Sequence, residues 1–127
     1  MKLASLFAAF TLSVCGVAFA AEKHKDGHEV KPMHGGVVAE VKHLDYELVA
    51  KADVLQLYVR DHGKPLNLTT ASAKITMLIG TEKQEVTLKP VGDRLEAKGS
   101  FKVRPGAKVV ALVVMDGKSS SARFVLK

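Results

Sequence analysis

The sequence predicts an all-β protein: an antiparallel β-sandwich of immunoglobulin-like type with seven or eight strands, preceded by a cleaved signal peptide and a flexible arm. Three observations predict it. Apolar residues recur at every second position over short runs, turn residues separate the runs at regular intervals, and no segment carries a helical stripe. A small barrel is the alternative closure for the same strands.

The first element is the leader. The 127-residue chain opens Met1-Lys2, stays apolar from Leu3 to Val17 and reaches Ala18-Phe19-Ala20, with small residues where a signal peptidase reads them. Residues 1–20 are expected to be removed after Ala20, placing the protein in the periplasm or outside the cell. The apolar stretch is short for a bilayer and runs into Glu22-Lys23-His24-Lys25-Asp26, so no membrane span is expected in the mature protein. Cys15 is the only cysteine and leaves with the leader. A lipidated cysteine fits poorly, because Val14 stands where a small residue is normally required. Without cysteine, disulfides, thiolate metal sites and cysteine nucleophiles are all excluded.

Residues 21–33 are charged and histidine-rich, contain Gly27 and Pro32, and show no apolar periodicity. They read as a flexible arm that is dispensable for folding, with the β domain spanning residues 34–127. Within that domain Leu55, Leu57 and Val59 share one face, as do Ile75, Met77 and Ile79, then Gln84, Val86 and Leu88. Leu95 and Ala97, Phe101 and Val103, and Ala122, Phe124 and Leu126 continue the alternation. Val109 to Met115 is apolar on both faces, the pattern of a central strand. Asp61-His62-Gly63-Lys64-Pro65, Gly80-Thr81, Gly92-Asp93, Pro105-Gly106 and Asp116-Gly117 supply the turns.

The net charge is +6, but the basic residues are scattered and not interleaved with aromatics, so nucleic acid is not an expected partner. Catalytic signatures are lacking: there is no Gly-x-Ser-x-Gly elbow, no glycine-rich phosphate loop, and Ser119 to Ser121 have no neighbouring base in sequence. The protein is not expected to be an enzyme.

The chemistry-bearing cluster is His24, His28, Met33 and His34. Imidazole and thioether together suit copper, and histidines alone suit zinc, nickel or cobalt, so the expected cofactor is a transition-metal ion, copper or zinc first. The competing reading makes these residues polar members of a tail, with His34 a histidine at the start of a strand. His43 and His62 fall in turns. Glu40, Asp45, Glu47 and Asp61 complete a mixed site only if their loops converge, and Met77 and Met115 fall on core positions. The cleavage point also matters: a cut after Ala20 leaves His24 fourth from the amine, favouring a loose, exchangeable site.

His34-Gly35-Gly36-Val37-Val38, then Tyr46-Glu47-Leu48-Val49, then Leu57-Tyr58-Val59-Arg60-Asp61-His62-Gly63-Lys64-Pro65-Leu66 form an ordered series. It resembles small exported domains associated with heavy-metal resistance, including N-terminal domains of the periplasmic adaptor subunits of metal-cation efflux pumps. The resemblance covers roughly residues 34 to 66. It implies a periplasmic β-sandwich that binds copper, zinc or a related cation through His34 and, less directly, Glu47 and His62. It also implies a periplasmic efflux adaptor protein as partner. The chain lacks the helical hairpin and lipoyl-like segments of the adaptors, so it would act as a stand-alone accessory. The alternative function is an exported β-sandwich that binds a protein or envelope component and has no metal role.

Overall fold

The computed structural model describes residues 31–127. The leader expected over residues 1–20 and the arm histidines His24 and His28 lie outside the described residues. The described residues form nine strands and no helix: β1 Val37–Val41, β2 Leu44–Ala50, β3 Val54–Asp61, β4 Lys64–Pro65, β5 Ser72–Ile79, β6 Glu82–Val91, β7 Arg94–Lys98, β8 Lys108–Met115 and β9 Lys118–Val125. No helix among them is long and apolar enough to cross a membrane.

Every pairing is antiparallel. The hydrogen-bonded path runs β1-β2-β3-β7-β6-β5-β8-β9, with β4 appended to β3. Strands β5, β6 and β7 follow one another through hairpins and β8 returns beside β5, which is a Greek key. The path is unbroken because β6 serves two stretches of sheet. Its residues Glu82 to Leu88 pair with β5, and Lys89 to Val91 pair with β7. Pro90, which has no N–H to donate, lies in the short stretch where β6 changes partner. At the ends of the path β1 and β9 lie against each other without a ladder, so the single sheet is nearly closed into a barrel.

The turns follow from local chemistry. Lys42-His43, His62-Gly63 and Asp116-Gly117 all have positive φ, the signature of two-residue type I′ hairpins. His43 and His62 are therefore exposed turn residues, as their flanking sequence predicts.

Period-two alternation places Tyr46 and Leu48 of β2, Leu55 and Leu57 of β3, Ile75 and Met77 of β5, and Val109 and Ala111 of β8 in one buried cluster. Met77 is fully buried in it and Met115 packs against its margin, consistent with both being core filler. The alternation at Phe101 and Val103 does not mark a strand. Residues 99–107 form an irregular connection that never pairs in a ladder. Phe101 N donates to Ala52 O at 2.8 Å, and the Gln84 amide clamps the Lys102 backbone with two 3.0 Å bonds. Both side chains still pack on the core, so the sequence pattern reports burial without a strand.

Leu57→Ala should lower stability by about 2–5 kcal/mol because it opens a cavity in this cluster. Leu78→Ala, at an exposed position, should change it by less than about 0.5 kcal/mol. Urea unfolding of both variants with an unchanged m-value checks the difference.

Candidate functional site

The outward side of β1-β2-β3 holds a group that a strand surface does not ordinarily bury. Glu47 points away from the core, opposite Tyr58 of β3 and Val38 of β1, yet it is completely buried. It is covered by the chain that leads into β1. Residues 31–36 fold back across this face as a strap, and the Glu47 carboxylate receives their backbone donors. Met33 N donates to Oε1 at 2.9 Å, and His34 N and Gly36 N donate to Oε2 at 2.7 and 3.0 Å.

The two glycines make this geometry possible. Gly35 sits at φ 76°, a left-handed conformation that turns successive N–H groups toward one point and builds an anion-binding nest. Gly36 passes so close to β2 that a Cβ would stand 2.3 Å from the Leu48 carbonyl oxygen. Only glycine fits at that approach.

Arg60 closes the site from β3. Its Nη1 is 3.1 Å from Glu47 Oε1, an ion pair whose alignment is not that of a hydrogen bond, and its Nη2 donates to the Lys31 carbonyl at 3.2 Å. Burial raises the Glu47 pKa, but the Met33, Gly36 and His34 N–H groups together with Arg60 outweigh it and hold the carboxyl below the usual glutamate value. Both carboxylate oxygens are taken, so Glu47 anchors the strap and has no lone pairs directed at a metal.

The His34 ring stacks on Tyr58, with centroids 3.7 Å apart and planes 11° from parallel. Burial raises the Tyr58 hydroxyl pKa, against the influence of Arg94, and the ring is a neutral platform. Beyond Tyr58 the polar row continues into β7, where Gln56 Nε2 and Arg94 Nε both donate to Glu96 Oε1 at 2.8 and 3.1 Å.

The predicted ligands are distributed as follows. Met33 and His34 sit on the strap with exposed side chains, Met33 at 66%. His62 is at the β3–β4 hairpin tip with Nδ1 2.5 Å from Asp61 Oδ1. Tyr58 and Asp61 are three residues apart on one strand, so the His34 and His62 positions are separated by about 10 Å along β3. Among the described residues no three of His, Cys, Asp and Glu come together as a metal-binding group, so Glu40, Asp45, Glu47 and Asp61 do not form the mixed site that convergent loops would have made. Tyr58 and Arg60 were not singled out by the sequence. Their signal is the period: both are outward residues of β3, directly opposite Glu47 and Asp45. Compared with known protein families, characterised proteins and solved structures, the chain matches none.

The last residues assigned to the arm, Lys31 and Met33, thus contribute backbone groups to the anchor. A chain beginning at Lys31 should melt like the parent, whereas one beginning at Gly35 should melt lower because it loses two of the three donors to Glu47. Thermal unfolding without metal distinguishes them.

Glu47→Gln should cost about 3–5 kcal/mol, since it places an amide donor against the strap N–H groups and leaves Arg60 without its counter-ion. The pH dependence has a definite sign. A carboxyl whose folded pKa is depressed stabilises the fold above its unfolded pKa, near 4.5, and that stability is lost as pH falls through the folded value. The stability of the parent should therefore decline below pH 4.5, and Glu47→Gln should flatten that decline. Equal acid limbs in the two proteins, followed by urea midpoint, would remove Glu47 as the source.

Proposed function

We propose that this is an exported metal-binding accessory protein, periplasmic in the setting its leader suggests, that holds copper, zinc or a related cation. His24, His28, Met33 and His34 form the ligand set, and His62 contributes from the neighbouring hairpin. The observation that carries the reading is the division of labour on the strap. The backbone N–H groups of Met33 and His34 are pinned to Glu47, while both side chains are exposed. Half of the ligand set is thereby held in place before any metal arrives, which reduces the ordering entropy that a wholly free arm would lose on binding, about 1–2 kcal/mol per residue fixed. A cation held in this way is exchangeable and suits transfer to an efflux adaptor protein. The Greek-key order is the feature on which an immunoglobulin-like description of the fold rests.

The test is calorimetric titration of the exported protein with copper, zinc and nickel, its N-terminus fixed by intact mass. Met33→Ala with His34→Ala, and separately His24→Ala with His28→Ala, should each weaken binding at least about tenfold. Lowering the pH from about 7.5 to about 5.5 should weaken it, because imidazole must be neutral to donate its lone pair. The Glu47 anchor stays ionised across that range, so the loss reports on the ligands. Unchanged affinity in both double variants would end the proposal.

A further inference from the structure

Past the β1–β9 seam the sheet carries a different surface. On the outward face of β6-β5-β8-β9 the register lines up Val110, Leu112 and Val114 of β8, with Leu78 of β5 and Val125 of β9 beside them. All five are exposed, from 36% to 59%. A groove of about 290 Å³ runs between Leu78, Val110 and Val125, with Lys108 and Arg123 on its sides. Lys74 and Lys83 extend the basic border. Glu85 is the one acid in these paired outward rows, and Lys74 and Lys83 neutralise it at 3.3 and 3.0 Å. The remaining outward positions are Ser72, Thr76, Thr87, Ser119 and Ser121.

We propose that this face docks flat on an anionic lipid bilayer surface. Lys108 and Arg123 pair with headgroup phosphates, the Lys74-Lys83-Glu85 group adds its one surplus positive charge, and the aliphatic file of β8 enters the boundary between headgroups and acyl chains. Charge selects this occupant over the others. A second copy of the chain would bring the same basic rows against each other. A protein partner is disfavoured by composition, because interface cores are enriched in aromatic residues and Met and depleted of Lys and Ser, and none of the outward positions of these rows is aromatic or Met. A lysine-bordered surface facing anionic lipid gains about fivefold in partitioning for each basic residue near the headgroups. The face borders the strap at the β1–β9 seam, where Pro32 and Gly36 line one pocket with Arg123 and Val125, but it shares no residue with the proposed ligand set and the proposal does not depend on metal binding.

The experiment is flotation of the exported protein with phosphatidylcholine vesicles containing about one-third phosphatidylglycerol, and with pure phosphatidylcholine. Binding is expected to the anionic vesicles alone, and to weaken between about 0.1 and 0.5 M salt as the Debye length shrinks. Lys74→Glu, Lys108→Glu and Arg123→Glu combined should lower partitioning by at least about a hundredfold. Lys51→Glu, Lys64→Glu and Lys98→Glu combined make the same change in net charge elsewhere and should retain most of the binding. Val110→Ser with Leu112→Ser should lose several-fold while keeping every charge. Circular dichroism confirms that each variant is folded. No binding to the anionic vesicles, or equal loss in the two charge-reversed variants, overturns the proposal. Sedimentation velocity supplies a further check: a concentration-dependent dimer of the parent that the face variant abolishes would make this a self-association surface and overturn the lipid reading.

Discussion

A carboxylate with no access to water must find its partners inside the protein, and Glu47 finds them in one short segment and one neighbouring strand. Left unpaired, its burial would be among the most unfavourable features of the fold, since desolvating a charge carries a penalty of several kcal/mol. The strap over β1-β2-β3 is the solution. Three backbone N–H groups and a guanidinium converge on two oxygens, and each charge-assisted bond is worth about 1.5–3 kcal/mol. The dependence is mutual. Without the strap Glu47 is uncompensated, and without Glu47 the left-handed Gly35 and the tight approach of Gly36 have nothing to hold them.

This anchor also determines how the chain enters a sheet that is nearly closed. Strand β1 pairs with β2 on one side and meets β9 without a ladder on the other, so its five residues are paired along one edge alone. Gly36 immediately precedes it, and the bond from Gly36 N to Glu47 pins the start of the strand to the middle of β2. On the far side of the path, β6 is long enough to leave β5 and join β7. One long shared strand and one tethered short strand together account for an arrangement nearer to a barrel than to two separate sheets.

The strand architecture was legible in the sequence because burial on one face of a strand imposes a period of two, and that period is visible wherever the core is apolar. It overreached at Phe101 and Val103, where side chains alternate into the core from a connection held by Gln84 instead of a ladder. At β8 an apolar residue at every position predicts a central strand, and β8 does lie between β5 and β9, but only one of its faces is covered. The structure shows Val110, Leu112 and Val114 exposed. The Glu47 site was the least legible part. Its contacts span 11 to 14 residues to the strap, and they use backbone N–H groups that every residue type possesses. What the sequence does display is the permission for them: two consecutive glycines, and a glutamate among apolar neighbours on a strand. In the sequence the glycines stand only as part of the His34-Gly35-Gly36 series and the glutamate as an implied ligand, whereas together they make a nest and its anion.

His34 is where the anchor and the proposed metal chemistry meet, and the geometry allows both. Its amide serves Glu47, and its ring lies nearly parallel to that of Tyr58. Stacking uses the face of the imidazole, whereas a metal bonds along a nitrogen lone pair in the plane of the ring. The contact with Tyr58 therefore limits which way the ring plane tilts without occupying the direction from which a cation approaches. A histidine presented in this manner has its ring plane oriented by its aromatic neighbour. The same reasoning separates His34 from His62, whose Nδ1 already faces Asp61 across 2.5 Å. The strap thus fixes the His34 backbone and Tyr58 sets its ring plane, so the in-plane nitrogens are the atoms that the stacking leaves uncovered.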